Sequence, residues 1–299
     1  MYDTSVIVQQ INKLPKEAVA RVEKPFYWNN CLWSPNYNKK IGEITSYVAK
    51  LKNLDLKLRG SELTISNSLQ KFYMNNNYKP FSYTDVVKAV AELDSYFDFD
   101  LYEAQVQRTS VGVVINDIED NTFKNWLEYR GKKPLVMRNK TRVYGAHFKA
   151  TNYNIKGYDK TYQTKNESGI TVDNSLIRFE LEASHRYTNT GKNAIGIYIV
   201  ADLVNKIKFD AFGDELLKVY DTIKKQPIIN YQELQPKEIL LMGAMKDNAC
   251  FNGLKKHHKD SFTIYRKKYA KLLEKYADFE LENNIRSKIL EQINYCKNN

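Results

Sequence analysis

The sequence predicts an α+β fold, in which an antiparallel β-sheet lobe with packed helices is followed by a smaller helical lobe. Two patterns support this prediction. Short stretches of alternating apolar and polar residues dominate up to about residue 190, and the apolar period becomes helical beyond it. The length of 299 residues suits two domains. We therefore expect one domain at 1–190 and a second at 191–299.

Strand patterns define the expected first domain. The stretch VQRTSVGVVIN (106–116) is long and rich in β-branched residues, which is typical of a central strand. RVYGAHFKA (142–150) and YNIKGYDKTY (153–162) are separated by a few polar residues, which predicts a hairpin. LIRFELEASH (176–185) alternates strictly, so one face of this strand should be dry and the other charged.

An amphipathic helix is predicted within the same domain. SYTDVVKAVAELDSYF (82–97) offers Ser82 or Thr84 as an N-cap and places four apolar residues at helical spacing, namely Val86, Val87, Val90 and Leu93. Such a helix would lay one apolar face on a sheet. Beyond residue 190 the chain contains several more stretches of this kind, which predict the helical lobe.

The charge balance indicates a polyanionic partner. The chain has 46 Lys and Arg against 35 Asp and Glu, a formal charge of +11, which suits nucleic acid or an anionic membrane surface. No apolar run approaches 20 residues and the N-terminal residues do not read as a signal peptide, so nucleic acid is favoured over a membrane. The three cysteines are far apart, which fits a reducing compartment. We expect a soluble, intracellular protein.

Two polar strand faces carry the residue types that phosphodiester cleavage needs. Read with period two, Tyr158 lies between Lys156 and Lys160. A phenol with a pKa of about 10 is a poor nucleophile unless cations favour the phenolate. Arg178 and the lysines would stabilise a phosphorane, and carboxylates such as Glu180 would hold Mg²⁺ or Mn²⁺. The spacing alone also fits an ordinary solvent-facing strand.

Four segments, in this order, resemble the rolling-circle replication initiators of filamentous-type bacteriophages and the related plasmid initiator and relaxase group. They are ISNSLQKFYMNNNYKPFSYTDVVKAVAEL, VQRTSVGVVIN, RVYGAHFKATNYNIKGYDKTYQ and LIRFELE. The resemblance covers roughly residues 60 to 190. It depends most on a Tyr-Asp-Lys strand (158–160) followed by a strand of the type Leu-Ile-Arg-Phe-Glu (176–180).

The resemblance implies an enzyme that nicks one DNA strand at an origin, stays linked to the 5′-phosphate through tyrosine and leaves a 3′-OH for a host polymerase. At the matching positions Tyr158 is the nucleophile and Lys160 a phosphate contact. Arg178 is a phosphate-binding or orienting cation, and Glu180 is a ligand of Mg²⁺ or Mn²⁺. The implied partners are single- and double-stranded origin DNA, with a host helicase and polymerase, in the cytoplasm of a bacterial host cell.

Two departures from the pattern of this group affect the expected metal site. Ser110 stands where relatives tend to have a carboxylate, and Gln163 stands where they tend to have Glu. His147 on the hairpin is either a further metal ligand or a plain polar strand residue. A site without these carboxylates would hold metal weakly, so either Glu182, Asp159 or Glu103 substitutes or the activity is reduced. Tyr162 is either a second nucleophile or a stacking or core residue.

A basic segment near the C-terminus is the predicted duplex-binding surface. KDNACFNGLKKHHKDSFTIYRKKYAKLL (246–273) has few acids. Together with Lys156, its expected DNA contacts are Lys255, Lys256, Lys259, Arg266, Lys267 and Lys268. The same residues also fit a solvated basic helix face. We thus expect a nicking domain at 1–190 and a basic DNA-binding domain at 191–299.

The leading interpretation is a rolling-circle replication initiator, with a mobilisation relaxase as a near variant. The alternative is a non-catalytic, sequence-specific DNA-binding protein or regulator that keeps the fold without the metal site. A tyrosine recombinase is disfavoured, because its nucleophile would lie near the C-terminus of a mostly helical lobe.

Overall fold

The computed structural model describes residues 1–116, 122–172, 174–191 and 194–299. It confirms the predicted α+β class, with a large antiparallel sheet and a helical C-terminal region. The chain divides into two compact units, one formed by Met1–Lys224 with Arg286–Asn299 and the other by Lys225–Ile285. The boundary predicted after residue 190 therefore lies inside the first unit. The helical residues at both ends of the expected second domain belong with the sheet.

The first unit is built on one eleven-stranded sheet in which every pair of neighbours is antiparallel. Its strands are β1 (Tyr2–Gln10), β2 (Phe26–Trp28), β3 (Cys31–Tyr37), β4 (Ile44–Leu51), β5 (Leu54–Arg59), β6 (Glu62–Ser68), β7 (Gln105–Asn116), β9 (Leu135–Asn139), β10 (Arg142–Lys149), β11 (Tyr153–Asp159) and β12 (Leu176–Ser184). They run in the spatial order β2-β3-β4-β5-β6-β1-β7-β12-β11-β10-β9. Shorter strands are β8 (Trp126–Glu128), β13 (Lys224–Lys225), β14 (Ile228–Ile229) and β15 (Ala277–Asp278).

The sheet has two halves with equivalent connectivity. In the first half β1 is followed by the meander β3 to β6, whose last strand returns to pair with β1. In the second half β7 is followed by the meander β9 to β12, whose last strand returns to pair with β7. The two lead strands β1 and β7 pair with each other at the centre. The predicted central strand and the predicted hairpin are therefore both confirmed.

Eleven α-helices accompany the strands in the described residues: α1 (Lys16–Val19), α2 (Leu69–Met74), α3 (Tyr83–Asp94), α4 (Lys160–Ser168), α5 (His185–Asn189), α6 (Val200–Leu203), α7 (Lys206–Thr222), α8 (Pro236–Lys246), α9 (Asn248–His257), α10 (Lys259–Tyr276) and α11 (Glu280–Asn298). Short 3₁₀ turns occupy Leu101–Glu103, Thr122–Asn125 and Tyr231–Glu233. The predicted helix is α3, and Ser82 caps it in a capping box with Asp85, as expected from the first of the two candidate caps.

One face of the sheet forms the main apolar core, because α7 packs on it. Tyr2 and Phe209 meet with ring centroids 5.4 Å apart, and Phe179 and Tyr220 meet at 5.3 Å. All four rings are buried. The residues on the opposite face of β11 and β12 are polar, which fixes where the candidate site can lie.

The second unit has its own small core. Ile229, Leu234 and Met242 are buried there, and α10 covers them with partly buried residues that include Tyr269 and Leu273. No helix in the described part of the chain combines the length and the apolar character needed to cross a bilayer.

Candidate active site

The register of β11 and β12 brings the predicted site residues together. Lys156 lies opposite Glu180, and Tyr158 lies opposite Arg178. Since residues directly opposite each other on an antiparallel pair point to the same face, the phenol, the guanidinium and the carboxylate share one side of the sheet. The adjacency that the sequence suggested is therefore present.

Arg178 is the centre of a buried ionic cluster. Its guanidinium lies 2.8 Å from Asp3 Oδ2 and 3.0 Å from Glu180 Oε2, and it donates a hydrogen bond of 2.9 Å to the carbonyl of Asn77. The side chain is only 1% exposed. Although burial alone would lower its pKa, Asp3 and Glu180 hold the pKa of Arg178 above its usual value. This charge is permanent.

Gly112 of β7 packs closely against the guanidinium of Arg178. A Cβ added to this glycine of β7 would lie 3.2 Å from Arg178 Nη2 and 3.0 Å from the carbonyl oxygen of Phe179. A side chain at this position would therefore require Arg178 or the backbone of β12 to move away slightly.

Arg178 and Glu180 alternate with the apolar residues of β12, as predicted. The charged face that they form is nevertheless not exposed to solvent. Glu180 is 5% exposed, so the predicted charged face of β12 is buried at this end. The loop that carries Asn77 covers it, and Asp3 reaches it from β1. Asp3 was missed by the sequence analysis. Nothing in the sequence around Asp3 marks it as a partner of Arg178.

Tyr158 is buried against this cluster and donates its phenolic hydrogen to Glu180 Oε2 at 3.3 Å. Its side chain is 5% exposed. Burial, and then the charge of Glu180, raise the pKa of Tyr158 well above its usual value. We expected flanking lysines to lower this pKa. That expectation is wrong because desolvation and the carboxylate outweigh the cations, so the phenol is protonated at neutral pH.

Lys160 does not continue β11, as the sequence analysis had it, but begins α4. Asp159 caps this helix, since its Oδ1 accepts a hydrogen bond of 2.8 Å from the backbone N–H of Tyr162. Lys160 is 1% exposed, and its ammonium donates to Gln163 Oε1 at 2.9 Å. Burial, with a smaller contribution from Arg178, lowers its pKa to about 8. Gln163, noted as a departure from related sequences, is thus the partner of Lys160.

A second, more open part of the site surrounds Lys156. Its Nζ lies 3.0 Å from Glu182 Oε2 and 3.8 Å from Glu180 Oε1. Arg108 from β7 binds the other oxygen of Glu182 at 2.6 Å. Burial would raise the pKa of Glu182, but Lys156 brings it below the usual value. The side chain of Lys156 is 32% exposed, so this ammonium can reach a ligand in solution.

Each of the predicted metal ligands, His147, Glu180 and Glu182, lies beside a cationic side chain. His147 lies opposite Lys156 in the β10–β11 register, and partial burial with the nearby lysines lowers its pKa. Glu180 and Glu182 are paired with cations, and the Lys156 ammonium lies within 4 Å of an oxygen of each. Within the described ranges, no three side chains of His, Cys, Asp or Glu converge. Dependence on Mg²⁺ or Mn²⁺ remains a prediction of the resemblance.

The predicted DNA contacts of the second unit lie at the surface. All six are exposed, and the structure assigns none of them an ion-pair partner among the described residues: Lys255, Lys256, Lys259, Arg266, Lys267 and Lys268. They come from the end of α9 and from α10. Their charge is available to a polyanion.

Comparison with known protein families and with curated proteins finds no match for this chain. The resemblance to rolling-circle initiators therefore stays a prediction from its motifs. What the fold adds is the geometry of the cluster itself, a phenol hydrogen-bonded to a carboxylate beside a permanent buried cation.

Proposed function

We propose that this protein nicks and rejoins one strand of DNA through Tyr158, as an initiator of rolling-circle replication or a relaxase. The observation that carries the proposal is the hydrogen bond from the Tyr158 phenol to Glu180, with Arg178 on the same carboxylate. A nucleophile bonded to a base that a third group orients is the usual arrangement for covalent catalysis.

The chemistry follows from the protonated state of the phenol. Because the pKa of Tyr158 is raised, a free phenolate would be rare, so Glu180 takes the phenolic proton as the oxygen attacks phosphorus. The new bond joins the phenolic oxygen to phosphorus, and the bond from phosphorus to the 3′ oxygen breaks. The 3′ oxygen leaves with the bonding electrons and takes a proton from water. Rejoining is the reverse reaction.

Three cations support this reaction. Arg178 lies against Glu180 and supplies fixed positive charge near the phosphorane. Lys160 Nζ lies 5.9 Å from the centroid of the Tyr158 ring. Lys156, at the open side of the cluster, is the first cation that an arriving phosphate would meet. No step is assigned to a metal ion, because the two glutamates are already paired with cations.

The proposed partners follow from the charge and the basic helices. Single-stranded origin DNA would bind at Lys156, and duplex DNA would bind the exposed lysines of α9 and α10. A host helicase and polymerase would act on the nicked product, in the cytoplasm of a bacterial host.

One observation favours a second candidate function. Tyr158 is 5% exposed, and the Asn77 loop covers the arginine beside it. A DNA-binding protein or regulator that does not cleave would need no access to this phenol. In that case the cluster serves only stability, and the basic surface accounts for DNA binding.

A covalent transfer assay separates the two functions. Labelled single-stranded and supercoiled candidate origin DNA is incubated with the protein, with Mg²⁺, with Mn²⁺ and with a chelator. The enzyme is supported if label becomes attached to the wild type and to Tyr162→Phe but not to Tyr158→Phe. Tyr162 is the matched control because it is a partly buried tyrosine in the adjacent helix. Specific binding without any nick supports the regulator.

A further inference from the structure

A polar pocket of about 480 Å³ lies where the turn between β10 and β11 meets α5 and α7. Thr151 and Asn152 line it from the turn, and Tyr153 lines it from the start of β11. A volume of this size suits a small molecule. The pocket is separate from the candidate active site, because Tyr153 and Tyr158 point to opposite faces of the sheet and lie roughly 17 Å apart along β11.

Positive charge dominates the wall of this pocket. Four cationic side chains line it: Arg130, Lys132, Arg186 and Lys218. They come from the segment that follows β8, from α5 and from α7. All four residues are exposed to solvent. Like charges that are gathered in one concave site repel one another, so a bound anion would stabilise the group.

The acidic side chain in the pocket offsets only one of these charges. Among the described residues that line the pocket, Glu215 alone is acidic. Its Oε1 accepts a hydrogen bond of 2.7 Å from the hydroxyl of Tyr187, and its Oε2 lies 3.3 Å from Lys218 Nζ. Glu215 is therefore already engaged at both oxygens, and Lys218 is the cation that it neutralises.

The other three cations keep their charge for a ligand. In the ranges that the structure describes, Arg130, Lys132 and Arg186 have no carboxylate partner. Lys132 Nζ donates to the carbonyl of Lys149 at 3.3 Å, and the Arg130 guanidinium lies 5.3 Å from the centroid of the Tyr129 ring. These contacts position the two side chains without neutralising them.

Neutral donors lie beside the cations. The hydroxyl of Thr151 and the amide of Asn152 belong to residues that line the same pocket. Each of these groups can donate a hydrogen bond to a phosphate oxygen. Arginine, lysine, hydroxyl and amide donors together are the set with which proteins hold phosphate groups.

We propose that this pocket binds the phosphate chain of a small ligand of the nucleoside triphosphate class. Such a chain carries several negative charges and can meet Arg130, Lys132 and Arg186 together, whereas a single phosphate group would leave part of the positive charge unmatched. The site goes beyond the proposed nicking function, and none of its residues takes part in that reaction. Phosphate groups also occur in the backbone of DNA, so the experiment has to distinguish the two sources.

Calorimetric titration of the full chain with tripolyphosphate, in a buffer free of other phosphate and of divalent cations, tests the proposal. Arg186→Gln and Lys132→Gln each remove one charge from the pocket. Lys133→Gln is the matched control for the second variant, since it removes the next exposed charge along the chain, which does not line the pocket. Arg59→Gln removes an exposed charge from β5 and is the control for the first.

The wild type and both controls should bind tripolyphosphate at one site. Arg186→Gln and Lys132→Gln should bind it about tenfold more weakly, because each loses one charge-assisted contact, while their thermal unfolding stays that of the wild type. Absence of saturable binding, or an equal loss of affinity in the controls, would overturn the proposal, since the anion would then respond only to the overall charge of the protein.

Two competitors identify the source of the phosphate chain. ATP carries the same chain, and a thymine oligomer without a terminal phosphate carries only the DNA backbone. Displacement of tripolyphosphate by ATP and not by the oligomer supports a small ligand. Displacement by the oligomer as effectively as by ATP would overturn this assignment and make the pocket part of the DNA-binding surface. Binding of tripolyphosphate by a protein that never attaches DNA to Tyr158 would support the pocket and contradict the nicking function.

Discussion

Replacing Arg178 with methionine removes a buried charge while keeping most of the side-chain volume. Two carboxylates, Asp3 and Glu180, then lose their shared cation although they are only 4% and 5% exposed. Asp3 keeps its hydrogen bond from Ser68. Breaking a buried ion pair by removing one partner costs about 3–5 kcal/mol, because the remaining charge stays desolvated.

The pH dependence of this loss has a definite sign. Burial would raise the pKa of Asp3, but Arg178 and Ser68 bring it below its usual value. The ionised carboxylate of Asp3 therefore stabilises the wild type down to acidic pH, and this contribution to the free energy of unfolding is lost only when the carboxylate becomes protonated. In Arg178→Met the unpaired carboxylates take up protons at higher pH. The difference in unfolding free energy should therefore shrink as the pH falls from about 7 to about 5.

Urea unfolding followed by tryptophan fluorescence measures the effect, because all three tryptophans lie in the first unit. Lys224→Met is the matched control. It breaks a pair with Glu128 whose side chains are 68% and 34% exposed, and such a pair contributes at most about 1 kcal/mol. If Arg178→Met cost no more than Lys224→Met, the description of this cluster as buried and ionic would be wrong.

Three further predictions concern the same sheet. On folding, the pKa of Lys160 falls from 10.5 to about 8, so between these pH values the unfolded chain holds a proton that the folded chain has lost. As the pH rises through this range, the free energy of unfolding of the wild type should increase by about 3 kcal/mol relative to that of Lys160→Met. Parallel plots of the two unfolding free energies against pH would contradict this. Glu180→Gln cannot accept the phenolic proton, so covalent transfer should fall about 10²- to 10⁴-fold, and unchanged transfer would remove its assigned role. In Gly157→Ala the new Cβ would lie 2.3 Å from the ring of Phe123, so the free energy of unfolding in urea should fall by about 1–3 kcal/mol. In the control Gly243→Ala the new Cβ meets nothing within 4 Å, so this free energy should not fall. Equal losses in the two variants would refute the packing argument.

Local patterns predicted local structure well. Alternation placed Ile177 and Arg178 on opposite faces of a strand, and Ser82, one of the two candidate caps before the apolar period, is the cap of α3. Asp159 before Lys160 was also a helix-start signal, but the run of alternating residues before it made the strand appear longer than it is. The period of a pattern shows which residues share a face.

What the pattern could not show is which face is covered. Asp3 and Asn77 lie 175 and 101 residues from Arg178 in the chain, and neither has a local signal that it meets the arginine. The pKa of Tyr158 is raised mainly because the side chain is buried. The sequence pattern does not show this burial, so the predicted direction of the pKa shift was wrong. The domain boundary failed for the same reason, since the return of Arg286–Asn299 to the first unit is a long-range contact.

The most direct test of the account is to map the covalent adduct. Protein that has reacted with labelled origin DNA is digested, and the peptide that keeps the 5′-phosphate is sequenced by mass spectrometry. The account predicts a phosphodiester on the phenolic oxygen of Tyr158. An adduct on Tyr144 or Tyr162, or labelled DNA that binds without any adduct, would contradict it.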